Sequence, residues 1–204
     1  MESEHFFTNS LNKNPFIWTK ENSLSKEFCD KVIEKFDKDE RSYVGKIKNF
    51  NVDLNVKKSL DLHISYLDDW AKEDKIFCES LAESLKLYQN HLLNNSIELM
   101  LFPFIFYSNV IDWGYQIQKT VPGGFYTWHV DYDMSSSGYA RWLTYIWYLN
   151  DVDDGGETEF YDGTVIKPKA GTILLFPSTW TYVHRGCKLK SGVKYICTGW
   201  MSHK

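Results

Sequence analysis

Cysteine is scarce and scattered: Cys29, Cys78, Cys187 and Cys197 are the only four in 204 residues, and no two form a C-x-x-C pair. That spacing excludes a disulfide framework and a structural zinc cluster, and it fits free thiols in a reducing compartment. The expected location is therefore the cytoplasm. An excess of one charge is also missing. The 23 basic and 27 acidic side chains are interspersed and leave a formal net charge of -4, so no phosphate-neutralising patch stands out and no nucleic-acid partner is expected. Long apolar runs are absent too. The longest, Leu99 to Tyr107, contains Pro103 and falls far short of the roughly 20 residues that cross a bilayer. No membrane association is expected. The N-terminus, MESEHFFTNSLNKNPFIW, lacks a basic region followed by an apolar stretch, so no secretory signal is expected.

With 5 prolines, 12 glycines and 43% hydrophobic residues, the composition excludes collagen, disorder and coiled coil. It fits one catalytic-sized globular domain spanning residues 1–204. No repeat, low-complexity tract or linker divides it.

Residues 1–98 read as a mainly helical support region. After Ser25, a candidate N-cap, Phe28, Val32, Ile33 and Phe36 recur at helical spacing, which predicts an amphipathic helix ending near Lys38. Trp70, Phe77, Leu81, Leu85, Tyr88 and Leu92 keep a second apolar stripe in register through roughly six turns, with Asn94 and Asn95 as the stop. Leu60 to Ile64 is a candidate strand.

Residues 99–204 change character, to β-branched and aromatic runs separated by V-P-G-G, D-D-G-G, Y-D-G, K-A-G and K-S-G. These connectors supply the backbone angles of tight turns, and the spacing predicts an all-β barrel or sandwich. Candidate strands are Leu99 to Tyr107, Trp113 to Thr120, Thr127 to Tyr132, Trp142 to Leu149, Glu157 to Tyr161, Thr164 to Lys167, Thr172 to Phe176, Tyr182 to Arg185 and Lys194 to Met201.

His129-Val-Asp131 places an imidazole and a carboxylate on one face of a strand. Alone the pair says little, since 6 histidines and 27 acids yield about 0.8 H-x-[DE] pairs by chance. A third ligand is needed. Among the other histidines only His184 lies in a strand-like segment of the β half; His5 and His203 are terminal, and His63 and His91 belong to the helical half. Two histidines and a carboxylate on one face leave open positions on non-haem Fe(II). Lys194 follows His184 by ten residues across Lys190-Ser191-Gly192, and an even hairpin register points both side chains to one inner face. A lysine aimed inward needs an anion, whereas a solvated strand-end lysine is the commoner fate of the residue.

Four ordered segments carry a resemblance: P-G-G-F-Y-T-W-H-V-D (Pro122 to Asp131), R-W-L-T-Y-I-W-Y-L-N-D-V-D-D-G-G-E-T-E-F (Arg141 to Phe160), K-P-K-A-G-T-I-L-L-F-P (Lys167 to Pro177) and H-R-G-C-K-L-K-S-G-V-K-Y-I-C-T-G-W (His184 to Trp200). The stretch from Gln116 to Met201 resembles the catalytic core of the Fe(II)/2-oxoglutarate-dependent dioxygenases, in their prolyl 4-hydroxylase-like branch. The resemblance implies a double-stranded β-helix, a jelly-roll barrel over residues 99–204 buttressed by two or more α-helices, with the metal at its open end. It implies His129, Asp131 and His184 as the iron ligands. Lys194 and Thr158 would bind 2-oxoglutarate through its distal carboxylate, and Tyr126, Arg141 and Trp200 would border the substrate. Tyr126 and Trp200 could equally fill the barrel, and Arg141 could be a structural ion-pair partner. Arg185, adjacent to a ligand, points to the other face and reads as scaffold. Gly155-Gly156 reads as a turn.

One departure stands out. Many prolyl hydroxylases carry a 2-oxoglutarate-binding tyrosine about nine residues before the first ligand histidine, and this chain has Thr120 there. Tyr115, Gln116, Gln118 or Tyr145 are the candidates to compensate. The resemblance implies hydroxylation of a protein or peptide side chain, proline first, with dioxygen consumed and 2-oxoglutarate decarboxylated to succinate. Ascorbate is a further candidate cofactor. The nearest alternative substrate is a free amino acid or small metabolite; a nucleic-acid demethylase is disfavoured, because the anchor is Lys194 rather than paired arginines. A jelly-roll binding module without turnover is the alternative from another class. A monomer or homodimer is expected.

Overall fold

The computed structural model describes residues 14–47, 51–95 and 110–203. Helix α1 (Lys26–Asp37) begins where the Ser25 hydroxyl accepts a hydrogen bond from the Phe28 backbone N–H, with Glu27 in the first turn and Lys35 in the last, charges that complement the helix dipole. Its buried stripe is Cys29, Val32 and Phe36. A 3-10 turn at Asp68–Trp70 leads into α2 (Ala71–Asn95). The expected stripe is buried along it at Phe77, Leu81, Tyr88 and Leu92, while Trp70 is buried from the turn. No helix among the described residues is long and apolar enough to cross a membrane.

The larger sheet comprises β1 (Trp18–Lys20), β2 (Tyr43–Val44), β3 (Leu60–His63), β4 (Val110–Asp112), β5 (Gln116–Thr120), β7 (Ala140–Tyr148), β10 (Thr172–Pro177) and β12 (Lys194–His203). Its order is β1-β10-β7-β12-β5-β3-β2, with β4 also paired to β12. The smaller sheet comprises β6 (Tyr126–His129), β8 (Thr158–Phe160), β9 (Val165–Ile166) and β11 (His184–Gly186), in the order β6-β11-β8-β9. The pairings within both sheets are antiparallel. Strands β1, β2 and β3 come from the region before residue 98. The expected strand at Leu99 to Tyr107 lies outside the described residues.

Two-residue periodicity sorts the larger sheet into two faces. Leu143, Tyr145 and Trp147 of β7, with Ile173 and Leu175 of β10, pack into the core beneath the two helices. Their neighbours Ile146, Tyr148, Leu174 and Phe176 join Phe160 of the smaller sheet in a second core. The layers are therefore helices, larger sheet, smaller sheet, which explains why β7 and β10 read as continuous apolar runs.

The closed jelly-roll barrel expected from the sequence is corrected by this topology. Among the described residues no strand of the larger sheet pairs with a strand of the smaller. The smaller sheet has only four strands against the eight of the larger, and at the usual inter-strand spacing it is too narrow to reach both outer edges of its partner. The two sheets face each other in a double-stranded β-helix-like arrangement that stays open, and the functional residues lie in the gap between them.

Candidate metal centre and active site

His184 and His129 are cross-strand partners in the β11–β6 ladder, and Asp131 follows two residues after His129, just beyond the end of β6. The Nδ1 atoms bond to backbone carbonyls, His129 to Thr127 at 2.8 Å and His184 to Tyr182 at 3.0 Å. A carbonyl only accepts, so each Nδ1 carries the proton and each Nε2 keeps its lone pair. Those lone pairs converge. His129 Nε2 lies 3.6 Å from Asp131 Oδ1, and His184 Nε2 lies 3.6 Å from Asp131 Oδ2, too far for good hydrogen bonds. One ligand atom from each residue falls within 4.8 Å of the others. Two neutral imidazoles and a carboxylate fit a divalent transition metal with positions left open.

The electrostatics favour the same state. Burial, reinforced by the neighbouring His184, pushes the His129 imidazolium down to about 4, so the ring is neutral at physiological pH. For Asp131 burial opposes ionisation, but its polar surroundings, the hydrogen bond from Thr144 among them, outweigh it and hold the carboxyl below its ordinary range. Thr144 donates to Asp131 Oδ2 at 2.8 Å. With its proton committed there, Thr144 accepts from Ser178 across their 2.8 Å contact. Phe160 and Phe176 flank the His184 ring, with centroids 5.6 and 4.7 Å away, and Tyr126 stacks on His129 at 3.6 Å with 18° between the planes.

The three residues open onto a cavity of about 80 Å³ also lined by Gln118, Thr120, Thr158, Lys194 and Trp200. Lys194 is 7% exposed. Its ammonium donates to the Gly156 carbonyl at 2.6 Å, and burial lowers it to about 8, against smaller opposing contributions from Cys187 and Glu157. Gly155 and Gly156 both have positive φ, and a Cβ on Gly155 would clash with the Lys188 carbonyl oxygen, so the tight turn that presents the Gly156 carbonyl needs glycine. Thr158 accepts the Tyr148 hydroxyl proton at 2.7 Å, which leaves its own hydroxyl proton free to point into the cavity. Thr120 stands opposite Lys194 in the β12–β5 register.

Of the four candidates to compensate for Thr120, three are committed elsewhere. Tyr115 and Tyr145 donate to the Asp112 carboxylate on the helix side of the sheet, and Gln116 donates to Asp61. Gln118 lines the cavity. Arg141 stacks its guanidinium on the Trp200 ring at 3.9 Å, and among the described residues it makes no ion pair. The Trp200 indole N–H is buried without a hydrogen-bond acceptor among the described residues, close enough to Asp131 to favour its ionised form. Arg185 points to the outer face, where it pairs with Glu159 at 2.6 Å and covers Trp128.

Sequence reasoning missed Thr144, Ser178 and Tyr148, and above all Lys57 and Asp61, a buried pair 2.6 Å apart beside Tyr126. Two-residue alternation in β7 puts Thr144 and Tyr148 on one face with Ile146, which is the signal that could have found them. Lys57 sits in a stretch without periodicity and carries no such signal.

Residues 115–202 match the family described as the 2OG-Fe(II) oxygenase superfamily. A PKHD-type hydroxylase from Synechococcus sp. (strain CC9311) is 38% identical over 90 residues, 42% of this chain and 40% of that protein. The chain thus spans less than half the length of that relative. The probable prolyl 4-hydroxylase 3 of Arabidopsis thaliana is 26% identical over 226 aligned positions, covering 96% of this chain and 72% of that protein. Among solved structures, the viral collagen prolyl hydroxylase of Paramecium Bursaria Chlorella virus-1 in its 2OG complex superposes with a TM-score of 0.64 at 22% identity, over 93% of this chain and 97% of the other, a likeness of fold.

Proposed function

The chain belongs to the 2OG-Fe(II) oxygenase superfamily, in its prolyl 4-hydroxylase-like branch, and from that premise we propose that it hydroxylates a prolyl side chain of a protein or peptide. The observation that carries the reading is the convergence of His129 Nε2, His184 Nε2 and the Asp131 carboxylate within 4.8 Å on the wall of a cavity that Lys194 also lines.

In this reading His129, Asp131 and His184 hold Fe(II), and Lys194 with Thr158 binds the distal carboxylate of 2-oxoglutarate. Fe(II) bound there with the keto acid supplies dioxygen activation, coupled to decarboxylation to succinate and insertion of oxygen into a C–H bond. The protein's part is positional. Lys194 gives an incoming carboxylate a charge-assisted hydrogen bond in a site shielded from water, and Tyr148, by donating to Thr158, turns the Thr158 proton toward the same carboxylate. Thr144, backed by Ser178, fixes the rotamer of Asp131. Arg141, held flat by Trp200, offers guanidinium N–H groups to a backbone carbonyl of the substrate, and Tyr126 walls the side where the reacting ring would sit. Ascorbate, as a reductant in turnovers uncoupled from substrate, belongs to the same proposal. The four cysteines are free, which suits a reducing compartment such as the cytoplasm.

The test is anaerobic titration with Fe(II) and 2-oxoglutarate, followed by oxygen, with succinate and hydroxylated product measured for proline-containing peptides against free amino acids. A visible charge-transfer band that needs both components, with peptide hydroxyproline on aeration, is the expected result. Succinate coupled only to a free amino acid would transfer the assignment to a small-molecule hydroxylase. Neither band nor succinate would leave a non-catalytic binding module.

A further inference from the structure

The stretch between β2 and β3 brings a buried ion pair to the cavity that the chemistry above does not use. The Lys58 N–H donates to the Phe125 carbonyl and the Thr127 N–H to the Val56 carbonyl, so Lys57 and Tyr126 face each other in an antiparallel bridge. Opposite residues share a face. The Lys57 ammonium accordingly stands 5.5 Å from the Tyr126 ring centroid, within cation–π reach, and the same ring is the one stacked on His129.

On its other side Lys57 donates to Asp61 Oδ2 at 2.6 Å. Asp61 is fixed in turn by the Ser59 hydroxyl on Oδ1 at 2.7 Å and the Gln116 amide on Oδ2 at 2.8 Å. Lys57 and Asp61 are 4% and 1% exposed. Burying such a pair brings little net stability, because desolvation consumes most of the attraction, and lysine is ordinarily a surface residue. What the cation touches is therefore informative.

The His129 Nδ1 bond to Thr127 holds the imidazole at one edge, and what is left to it is tilting about Cα–Cβ and Cβ–Cγ, which swings Nε2. The flat contact of Tyr126 on the ring face opposes that tilting. We propose that Lys57, clamped by Asp61, is a positioning residue for His129: it holds the Tyr126 ring flat against the imidazole, so that Nε2 is aimed at Asp131 and His184 before a metal arrives. The inference rests on His129 being a metal ligand.

Its test is Co(II) affinity without cosubstrate, read from the d–d bands of the full chain for wild type, Lys57→Met, Tyr126→Leu and the double variant, with Lys57→Arg and Asp61→Asn alongside. Lys57→Met is expected to weaken Co(II) binding about tenfold, as loss of an orienting partner does. Tyr126→Leu should do the same, the double variant should be no worse than the weaker single, and Lys57→Arg should recover most of the affinity. Should Lys57→Met fail to fold, Asp61→Asn carries the same expectation, since it frees the cation from its clamp. Unchanged Co(II) affinity in a Lys57→Met protein with a lowered Tm would overturn the proposal and make the pair scaffold. Multiplying losses in the double variant would overturn it too, because Lys57 and Tyr126 would then act separately. A wild type that shows no Co(II) bands at all would instead overturn the metal assignment on which the inference stands.

Discussion

His129 and His184, 55 positions apart in the chain, are direct partners across the β6–β11 pair, with ring centroids 4.2 Å apart. Each ring is pinned by its own Nδ1 bond to a carbonyl two residues earlier. The metal centre is thus built by one strand pairing in the smaller sheet, and Asp131 joins it from the end of the same strand.

Replacing either imidazole should therefore abolish metal binding outright. His129→Ala and His184→Ala are expected to show no Fe(II) or Co(II) complex by anaerobic titration and background succinate formation, since a two-ligand remnant lacks the facial set. Thermal unfolding of the apo proteins should change little for His129, which lies at the cavity, and more for His184, which is 3% exposed between Phe160 and Phe176.

Thr144→Val tests the support of the carboxylate. The substitution keeps the shape and removes the 2.8 Å donor to Asp131 Oδ2, while Ser178 loses its acceptor. Metal affinity is expected to fall about 10- to 100-fold, with the metal-binding stoichiometry preserved. Unchanged affinity would place Thr144 outside the site.

How far the site was legible before the structure follows from which residues had a periodic neighbourhood. His129 with Asp131, His184 and Lys194 sit in or beside short alternating strands whose turns are marked by glycine, so their common face could be read from spacing. Thr158 was reached only through the family resemblance. Lys57 was not legible at all, because the stretch that carries it pairs with Tyr126 through a single bridge, and one bridge leaves no pattern; Asp61 fell in the expected strand at Leu60 to Ile64, but nothing in that strand's spacing marked it as the partner of a buried lysine. The barrel was over-read for a related reason. Alternation reports that strands have two faces, and says nothing about whether the outermost strands find each other, which among the described residues they do not.

The helices were legible from their stripes, and their weight in stability follows from the same residues. Phe77 is fully buried, with ring centroids of Phe28, Trp147 and Tyr115 at 5.3, 5.2 and 5.5 Å. Phe77→Ala should cost about 3–5 kcal/mol in chemical denaturation. Because Phe77 lies on the helix side of the larger sheet, Co(II) affinity measured well below the lowered Tm should match wild type.

Arg141→Ala separates substrate grip from cosubstrate chemistry. The guanidinium lies on Trp200 and touches no metal ligand through a hydrogen bond, so succinate formed without peptide should persist near its wild-type rate. Peptide hydroxylation should drop by about 10- to 100-fold, the cost of losing a charge-assisted hydrogen bond. Equal losses in both reactions would make Arg141 scaffold.

The last expectation concerns pH and turns on Lys194. Burial brings its ammonium down from the ordinary lysine value to about 8. Below that value the group is a cation and can bind a carboxylate; above it the group is neutral and the anchor is lost. The dissociation constant for 2-oxoglutarate should accordingly stay flat up to about pH 7 and weaken by about tenfold per unit above the shifted value. Lys194→Arg should move that limb beyond the accessible range, since a guanidinium keeps its proton. Lys194→Met should weaken the cosubstrate about 10- to 100-fold at neutral pH and leave Co(II) binding without 2-oxoglutarate unchanged. The two variants together decide the role: a pH-independent cosubstrate affinity in the wild type, matched by Lys194→Met, would mean that the carboxylate is held by Thr158, Thr120 and Gln118 alone.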